Sequence, residues 1–341
     1  MKANMFQPKR ALSAALFVLL LSVAGTKNAL AQNQVATLQH EGDISVFFGE
    51  NALANAHEAA ANGDTITLSS GNFNGCTLSK AVTIHGAGCV EDTVAGFEPT
   101  IITNDVTLEV SNDTISLIIE GIRFNSSIST PRYYSCNNVI FIKCNINTLT
   151  NFFSGYNNLQ IINCIIQNFE YQGAAATIVN SVMHLTNYNQ NNQNAVNTIY
   201  NSVLVCNNNI HLNNSTITNS IIATAQGNSV TNTTFHNCIG IQTIDSSLFV
   251  GQLNTTNMTV DNYDDVFETF TGEVTYENSY QLKEEISNSF LGNDGTEVGI
   301  YGGMRPYNPR PPYMIIKTIN VAGRTTEDDK LNVEIELNTG D

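Results

Sequence analysis

The sequence predicts an all-β chain wound as a single-stranded parallel β-helix, a solenoid of short strands. Three observations predict it. The first is a motif of Ile or Phe, any residue, Asn, then Cys or Ser, then mostly Ile or Val. It recurs as "FIKCNI" from Phe141, "IINCII" from Ile161, "IVNSVM" from Ile178, "IYNSVL" from Ile199, "ITNSII" from Ile217 and "FHNCIG" from Phe235, with Lys143 once in place of Asn. The anchors Cys144, Cys164, Ser181, Ser202, Ser220 and Cys238 lie 17 to 21 residues apart. The second is that a period near 20 built from β-branched residues holds one turn of extended chain, not a pair of helices. The third is the spacer chemistry: clusters of Asn, Ser, Thr and Gly, which form tight corners.

A coil of short strands cannot bury its own interior. Stacked coils close each strand's hydrogen bonds with the strands above and below, about 4.8 Å away. Stacking in register puts Asn163, Asn180, Asn201, Asn219 and Asn237 in one line, where their amides are expected to bond along the axis. The adjacent Cys or Ser suits a tight inward site. A leucine-rich horseshoe has a similar period but needs Leu at fixed spacing, and Leu is sparse here.

In chain order, Lys2, Lys9 and Arg10 precede the apolar run Ala11 to Ala24, and Ala29-Leu30-Ala31 forms a small-x-small cleavage site. Residues 1–31 are therefore expected to be the signal peptide of an exported protein, with Gln32 the mature N-terminus. The apolar run is short for a bilayer and no second run of spanning length follows. Residues 32–63 are expected to form an N-terminal cap. Leu53, Ala56, His57 and Ala60 fall at helical spacing, and Asn62-Gly63 ends the helix. Residues 64–303 are expected to form the β-helix, with Asp64 to Leu68 as its first strand and Ser69-Ser70-Gly71 as its first corner. "AVTIHGAG", "TIITNDVTLEV" and "ISLIIEGIRF" continue it, for a total of roughly nine to eleven coils and an axis of about 45–50 Å. In 304–341, "RPYNPRPPY" should be extended. "MIIKTINVAG" and "KLNVEIEL" around "RTTEDD" read as an antiparallel hairpin, an end cap or docking element.

The stretch "ALANAHEAAANGDTITLSSGNF" followed by "LSKAVTIHGAG" resembles the N-terminal cap and first coils of right-handed parallel β-helix proteins of the pectate-lyase-like superfamily. "YQLKEEISNSFLGNDGTEVGIYGG", Tyr280 to Gly303, resembles the close of many secreted bacterial β-helix proteins, with Ile300 where Ala is usual. The resemblance covers residues 45 to 305 and implies the fold and its hand. It names no activity, because this fold hosts lyases, hydrolases, epimerases, adhesins and inert stalks.

The chain has 14 Lys and Arg against 30 Asp and Glu, for a net charge of −16. Four of the basic residues and none of the acidic ones lie in the signal segment, so the mature chain would stand at 10 − 30 = −20. That excess argues against nucleic acid or an anionic membrane surface as partner. Seven cysteines leave at least one unpaired. No C-x-x-C pair or Cys/His cluster suggests zinc, and no metal or cofactor is expected. Cys144 and Cys164 share one repeat position and read as stacked small interior residues. Cys76 and Cys89, near the cap, are the better disulfide candidates.

Sugar chemistry on this fold needs titratable groups that converge on one face. The resemblance implies several carboxylates in polygalacturonase-like members, and a carboxylate-bound calcium with a basic residue in pectate-lyase-like ones. From Pro131 to Val250 only Arg132, Lys143, Glu170 and Asp245 are charged. Glu170 and Asp245 are about four coils, or roughly 19 Å, apart, whereas paired catalytic carboxylates stand about 5–9.5 Å apart. Asp264-Asp265 is expected in a surface loop. His85, His184, His211 and His236 have no charged neighbour in the repeat and read as structural. No catalytic residue is assigned. Tyr171 and Tyr188 lie seven residues past their anchors and should stack in neighbouring coils, with Tyr133, Tyr134 and Tyr156 in nearby turns. An Asn- and Tyr-lined face binds glycans through amides and ring faces, although the chain has no Trp. The sequence reading is therefore an exported, non-catalytic interaction or surface module, glycan-binding or adhesin-like, using Tyr156, Tyr171 and Tyr188. The alternative is a polysaccharide lyase or glycoside hydrolase of the same fold. The expected partner is an extracellular polysaccharide or a surface protein. The expected state is a monomer that is secreted, periplasmic or on the cell surface.

Overall fold

The computed structural model describes residues 34–91, 98–112, 114–131, 136–153, 158–172, 175–188, 196–206, 211–224, 229–231, 233–242, 256–310, 314–321 and 333–339. Residues 1–31, expected from the sequence as a signal peptide, lie outside them. The chain is nearly all-β, and its parallel sheets form a solenoid of about seven turns. One face is an eleven-stranded sheet and a second face a twelve-stranded sheet. Short end strands such as Thr65–Leu68, Gly71–Phe73 and Thr77–Leu78 prolong these sheets. The sequence reading gave roughly nine to eleven coils, against about seven turns in the structure, whose first sheet carries nine parallel strands among the described residues.

The Asn of the repeat sits at the corner between the two sheets. Strand Leu159–Ile162 of the first sheet ends at Asn163, and Ile165–Gln172 of the second begins two residues later. Asn163, Asn180, Asn201, Asn219 and Asn237 have φ between 46° and 55°, and Lys143 has φ 51°. Asn tolerates this left-handed region better than most residues with a Cβ, so the repeated Asn is a backbone requirement. Gly121, with φ 68°, precedes strand Ile122–Ser129 in the same way. The Asn residues do stack in line: Ile162, Val179, Tyr200, Thr218 and His236 are successive partners before the corner. Ile165, Val182, Val203, Ile221 and Ile239 are successive partners after it.

The Cys/Ser position points inward and is fully buried. Each side chain donates to the carbonyl two residues back: Ser181 to Val179, Ser202 to Tyr200 and Ser220 to Thr218, at 2.7–2.8 Å. Cys164, Ser181, Ser202 and Ser220 also accept an N–H from the coil before. Cys164 N–H donates to Ser181 Oγ at 3.0 Å, Ser202 N–H to Ser220 Oγ at 3.1 Å, and Cys144 N–H to Cys164 Sγ at 3.4 Å. Cys and Ser interchange here because each combines small volume with one donor and one acceptor. All seven cysteines are free, so the disulfide considered for Cys76 and Cys89 is not formed. Cys76 is only partly buried, while Cys89 is sealed inside and accompanied by Pro309.

The N-terminal end is closed by an antiparallel hairpin and the expected helix. Val35–His40 pairs antiparallel with both Asp43–Phe48 and the first coil strand. The two-residue turn at Glu41 and Gly42, φ 48° and 96°, is of the primed type that matches strand twist. Helix α1, Ala52–Ala59, packs on this hairpin and the first coil, burying Ala52, Leu53, Ala56 and His57. Lys80 Nζ caps it from its C-terminal end, donating to the His57 and Glu58 carbonyls at 2.9 and 2.6 Å. Asp64 fixes the exit, accepting from Ala61 N–H at 2.7 Å and meeting His40 Nδ1 at 2.9 Å.

His57 gives this end a pH dependence. Burial, helped by the nearby Lys80 charge, pushes its pKa from 6.5 down to about 4. Above pH 6.5 the imidazole is neutral in the folded and unfolded chain alike. Between 6.5 and 4 the unfolded chain binds a proton that the folded chain refuses, so stability falls as pH falls through that window and levels off below it. The expected loss is about 2–3 kcal/mol. Thermal melts at pH 7 and pH 4.5 should show it, and His57→Gln, which keeps an acceptor for Lys80 N–H, should shrink the difference.

The last strand of the two large sheets is Met258–Val260. The sequence reading carried the β-helix on to Gly303, but residues 261–310 add no strand to either sheet. They hold a single 3-10 turn, Tyr263–Asp265, and helix α2, Glu284–Ser289, and pack outside the solenoid. Met314–Val321 and Val333–Thr339 pair antiparallel as the expected hairpin. No helix of the described residues is long and apolar enough to cross a membrane.

Candidate functional site: a polar cleft beside the C-terminal strap

The outward side chains of the second sheet form columns along the axis. One runs Arg123, Asn145, Ile165, Val182, Val203, Ile221, Ile239 and Met258. Its first two members are polar and the rest apolar. A neighbouring column becomes apolar in the same coils, with Val205, Ala223, Ile241 and Val260 in register. These late strands are therefore apolar on both faces. The inner side chains fill the solenoid, while the outer ones form a second core with Val266, Phe267, Phe270, Val274, Tyr280, Leu282, Val298 and Ile300.

From Leu291 to Arg310 the chain runs back along the Asn corner as a strap. Asn237 Nδ2 donates to the Leu291 carbonyl at 3.3 Å. Asn219 exchanges two bonds with Asn293, at 3.0 and 2.9 Å. Asn180 donates to the carbonyls of Ile300 and Gly302, at 2.8 and 2.7 Å. Asn163 donates to the Arg305 carbonyl and accepts from Asn308 N–H. Lys143 Nζ donates to the Arg310 carbonyl at 2.7 Å. Four of the five corner amides thus bond to the strap, while Asn201 Nδ2 is buried without a partner among the described residues, which corrects the axial amide ladder expected from the sequence. An amide at this corner projects outward, where a second backbone can reach it.

Where the outer columns turn polar, the strap region leaves a cleft of about 190 Å³ lined by Arg123, Phe124, Asn125, Asn145, Asn147, Gln167 and Tyr276. The Arg123 guanidinium carbon stands 4.3 Å from the centre of the Tyr276 ring. Its Nε donates to the Cys89 carbonyl at 2.9 Å, and Nη1 reaches the Tyr276 hydroxyl at 3.5 Å. Among the described residues no carboxylate pairs with Arg123. Asn145 is 3% exposed and donates to the same Cys89 carbonyl at 3.1 Å, while its Oδ1 has no partner. Asn147 Nδ2 donates to the Asn125 carbonyl of the preceding coil at 3.1 Å. The cleft therefore offers one charged donor, several amides and a ring.

The residues singled out from the sequence lie elsewhere. Tyr171 and Tyr188 are register partners in adjacent coils, as expected. Tyr133, Tyr134, Tyr156, Arg132 and Asp245 lie outside the described residues. Glu170 accepts a hydrogen bond from Thr150 Oγ1. Asp264 and Asp265 lie in the exposed 3-10 turn, where Asp265 accepts from Asn262 N–H at 2.9 Å. His85 does have a charged neighbour: its Nδ1 is 3.1 Å from Glu120 Oε2. The sequence reading missed this because the partner is one coil and 35 residues away, in register on the next strand. Among the described residues no group of three or more His, Cys, Asp and Glu side chains is placed to hold a metal ion.

Sequence reasoning also missed Arg123 and Tyr276. Arg123 lies just before the charge-poor stretch from Pro131 to Val250, and Tyr276 is 153 residues away in sequence. The available signal was the change along one column from Arg and Asn to Ile and Val. No protein-family model, curated protein or solved structure matches the chain.

Proposed function

We propose that the protein is an exported, non-catalytic β-solenoid module that binds glycan, with the Arg123 cleft holding one sugar unit that carries an acidic group. The observation that carries this reading is Arg123, which among the described residues has no carboxylate partner, set in a cleft with the amides Asn145, Asn147 and Gln167. A carboxylate or sulfate would accept from the free guanidinium N–H groups. Asn147 and Gln167 are placed for sugar hydroxyls, and the pocket has room for a single ring. In a chain of net charge −16, this arginine is the local attraction for an anion. Along the late coils the solenoid's flank is filled by Val266, Phe267 and Phe270, where acid–base side chains would otherwise line a groove.

The test is a panel of acidic and neutral polysaccharides, measured by calorimetry for binding and by assay for released sugar. Binding of an acidic member without turnover is expected, weakened at least tenfold by Arg123→Ala and only partly restored by Arg123→Lys. Binding unaffected by Arg123→Ala but lost in Tyr171→Ala would move the site to the tyrosine column. Sugar release abolished by Asp264→Asn or Asp265→Asn would replace this reading with an enzymatic one.

A further inference from the structure

The eleven-stranded sheet ends at the N-terminal side in Asp43–Phe48, which among the described residues pairs on one edge only, with Val35–His40. Phe47 packs inward against the core. Ile44, Val46 and Phe48 lie on the other side and are 70%, 48% and 65% exposed. Strand edges are commonly blunted by charge, proline or a bulge. Within this strand the only charge is Asp43 at its start, and its register with Val35–His40 is unbroken.

We propose that this strand is the interface of a symmetric dimer, in which the same strand of a second copy adds antiparallel to it about a two-fold axis at Val46. The argument for a second copy is the strand's own pattern, which is self-complementary about that residue. Val46 then faces Val46 of the partner subunit, and Ile44 faces Phe48 of the partner subunit, so all three exposed apolar side chains meet apolar ones on one face. Asp43 falls opposite Gly49 of the partner subunit, and Glu50 falls opposite Gly42 of the partner subunit. No carboxylate of the strand or its flanks meets another, which matters in so acidic a chain. A register shifted by two residues leaves one end of the apolar row unpaired. The pairing is isologous and closes at two copies. It joins the two eleven-stranded sheets edge to edge and departs from the monomer expected from the sequence.

Sedimentation of the purified protein over a concentration series should show a dimer in exchange with monomer. Val46→Lys and Val46→Glu, which place like charges face to face on the axis, should each give only monomer with unchanged melting, since Val46 is half exposed. An equimolar mixture of the two variants should restore the dimer mass, because Lys then faces Glu. If either charge unfolds the chain, Phe48→Glu takes its place and is also expected to be monomeric. A protein that stays monomeric up to about 200 µM, beyond the micromolar range of weak interfaces, overturns the proposal. So does a dimer that survives Val46→Lys, or a mixture that stays monomeric.

Discussion

Replacing Leu53 by aspartate should collapse the N-terminal end of the solenoid and drive the protein to aggregate. Leu53 is 3% exposed, one turn from Ala56 and His57 on the buried face of α1, in the same core as Ala36, Leu38 and Ile66. Losing its burial costs about 2–3 kcal/mol. Placing a carboxylate there without a partner adds several more, for a total above ~4 kcal/mol. The damage then spreads, because the helix covers both the open end of the apolar interior and the hairpin Val35–Phe48. Calorimetry and light scattering check this, with Leu53→Ala as the control, expected to lose about 2–5 kcal/mol while remaining soluble. Unchanged melting of a soluble Leu53→Asp protein would show that the helix is not the cap.

The second large effect is expected at Gly302, in the strap. A Cβ there would stand 1.6 Å from the Glu297 carbonyl oxygen and 2.9 Å from Asn201 Nδ2. The first contact is with backbone inside a turn and the second with a corner amide, so neither yields without displacing the strap. Gly302→Ala is expected to cost ~3 kcal/mol or more. It should release the Asn180 bonds to Ile300 and Gly302 and uncover the outer apolar columns. A fluorescent apolar dye should bind the variant before the solenoid itself melts. If Gly302→Ala matches the native protein in dye binding and melting, the strap is not held as described.

The solenoid was legible because its repeat is local and periodic. Each corner shows in the sequence as Asn followed by Cys or Ser, whatever the distant contacts are. The reason for the Asn was misread: a repeated amide suggests axial stacking, whereas the backbone needs a left-handed residue and the amide then bonds to the strap. The outer core was harder to see. Strands such as "VLVC" are buried on both faces, which a single sequence shows only as the absence of alternation. Their cover is a stretch from Val266 to Ile300 that has no repeat of its own. The cleft was harder still, because Arg123 and Tyr276 meet only when the chain doubles back. The hairpin at the N-terminal edge was also missed, although "HEGD" between two apolar-rich runs is turn chemistry.

The corner track has a consequence for how the molecule comes apart. Coils of a bare solenoid interact only with their neighbours, so such an array can fray from either end and lose turns one at a time. Here one continuous segment grips the corners at Asn237, Asn219, Asn180, Asn163 and Lys143. The C-terminal turns cannot peel away without first freeing the segment that also fastens the central ones. Loss of any one of these turns is thereby tied to loss of the others, which turns a chain of nearest-neighbour equilibria into one cooperative unit, closed by contacts as distant in sequence as Lys143 and Arg310.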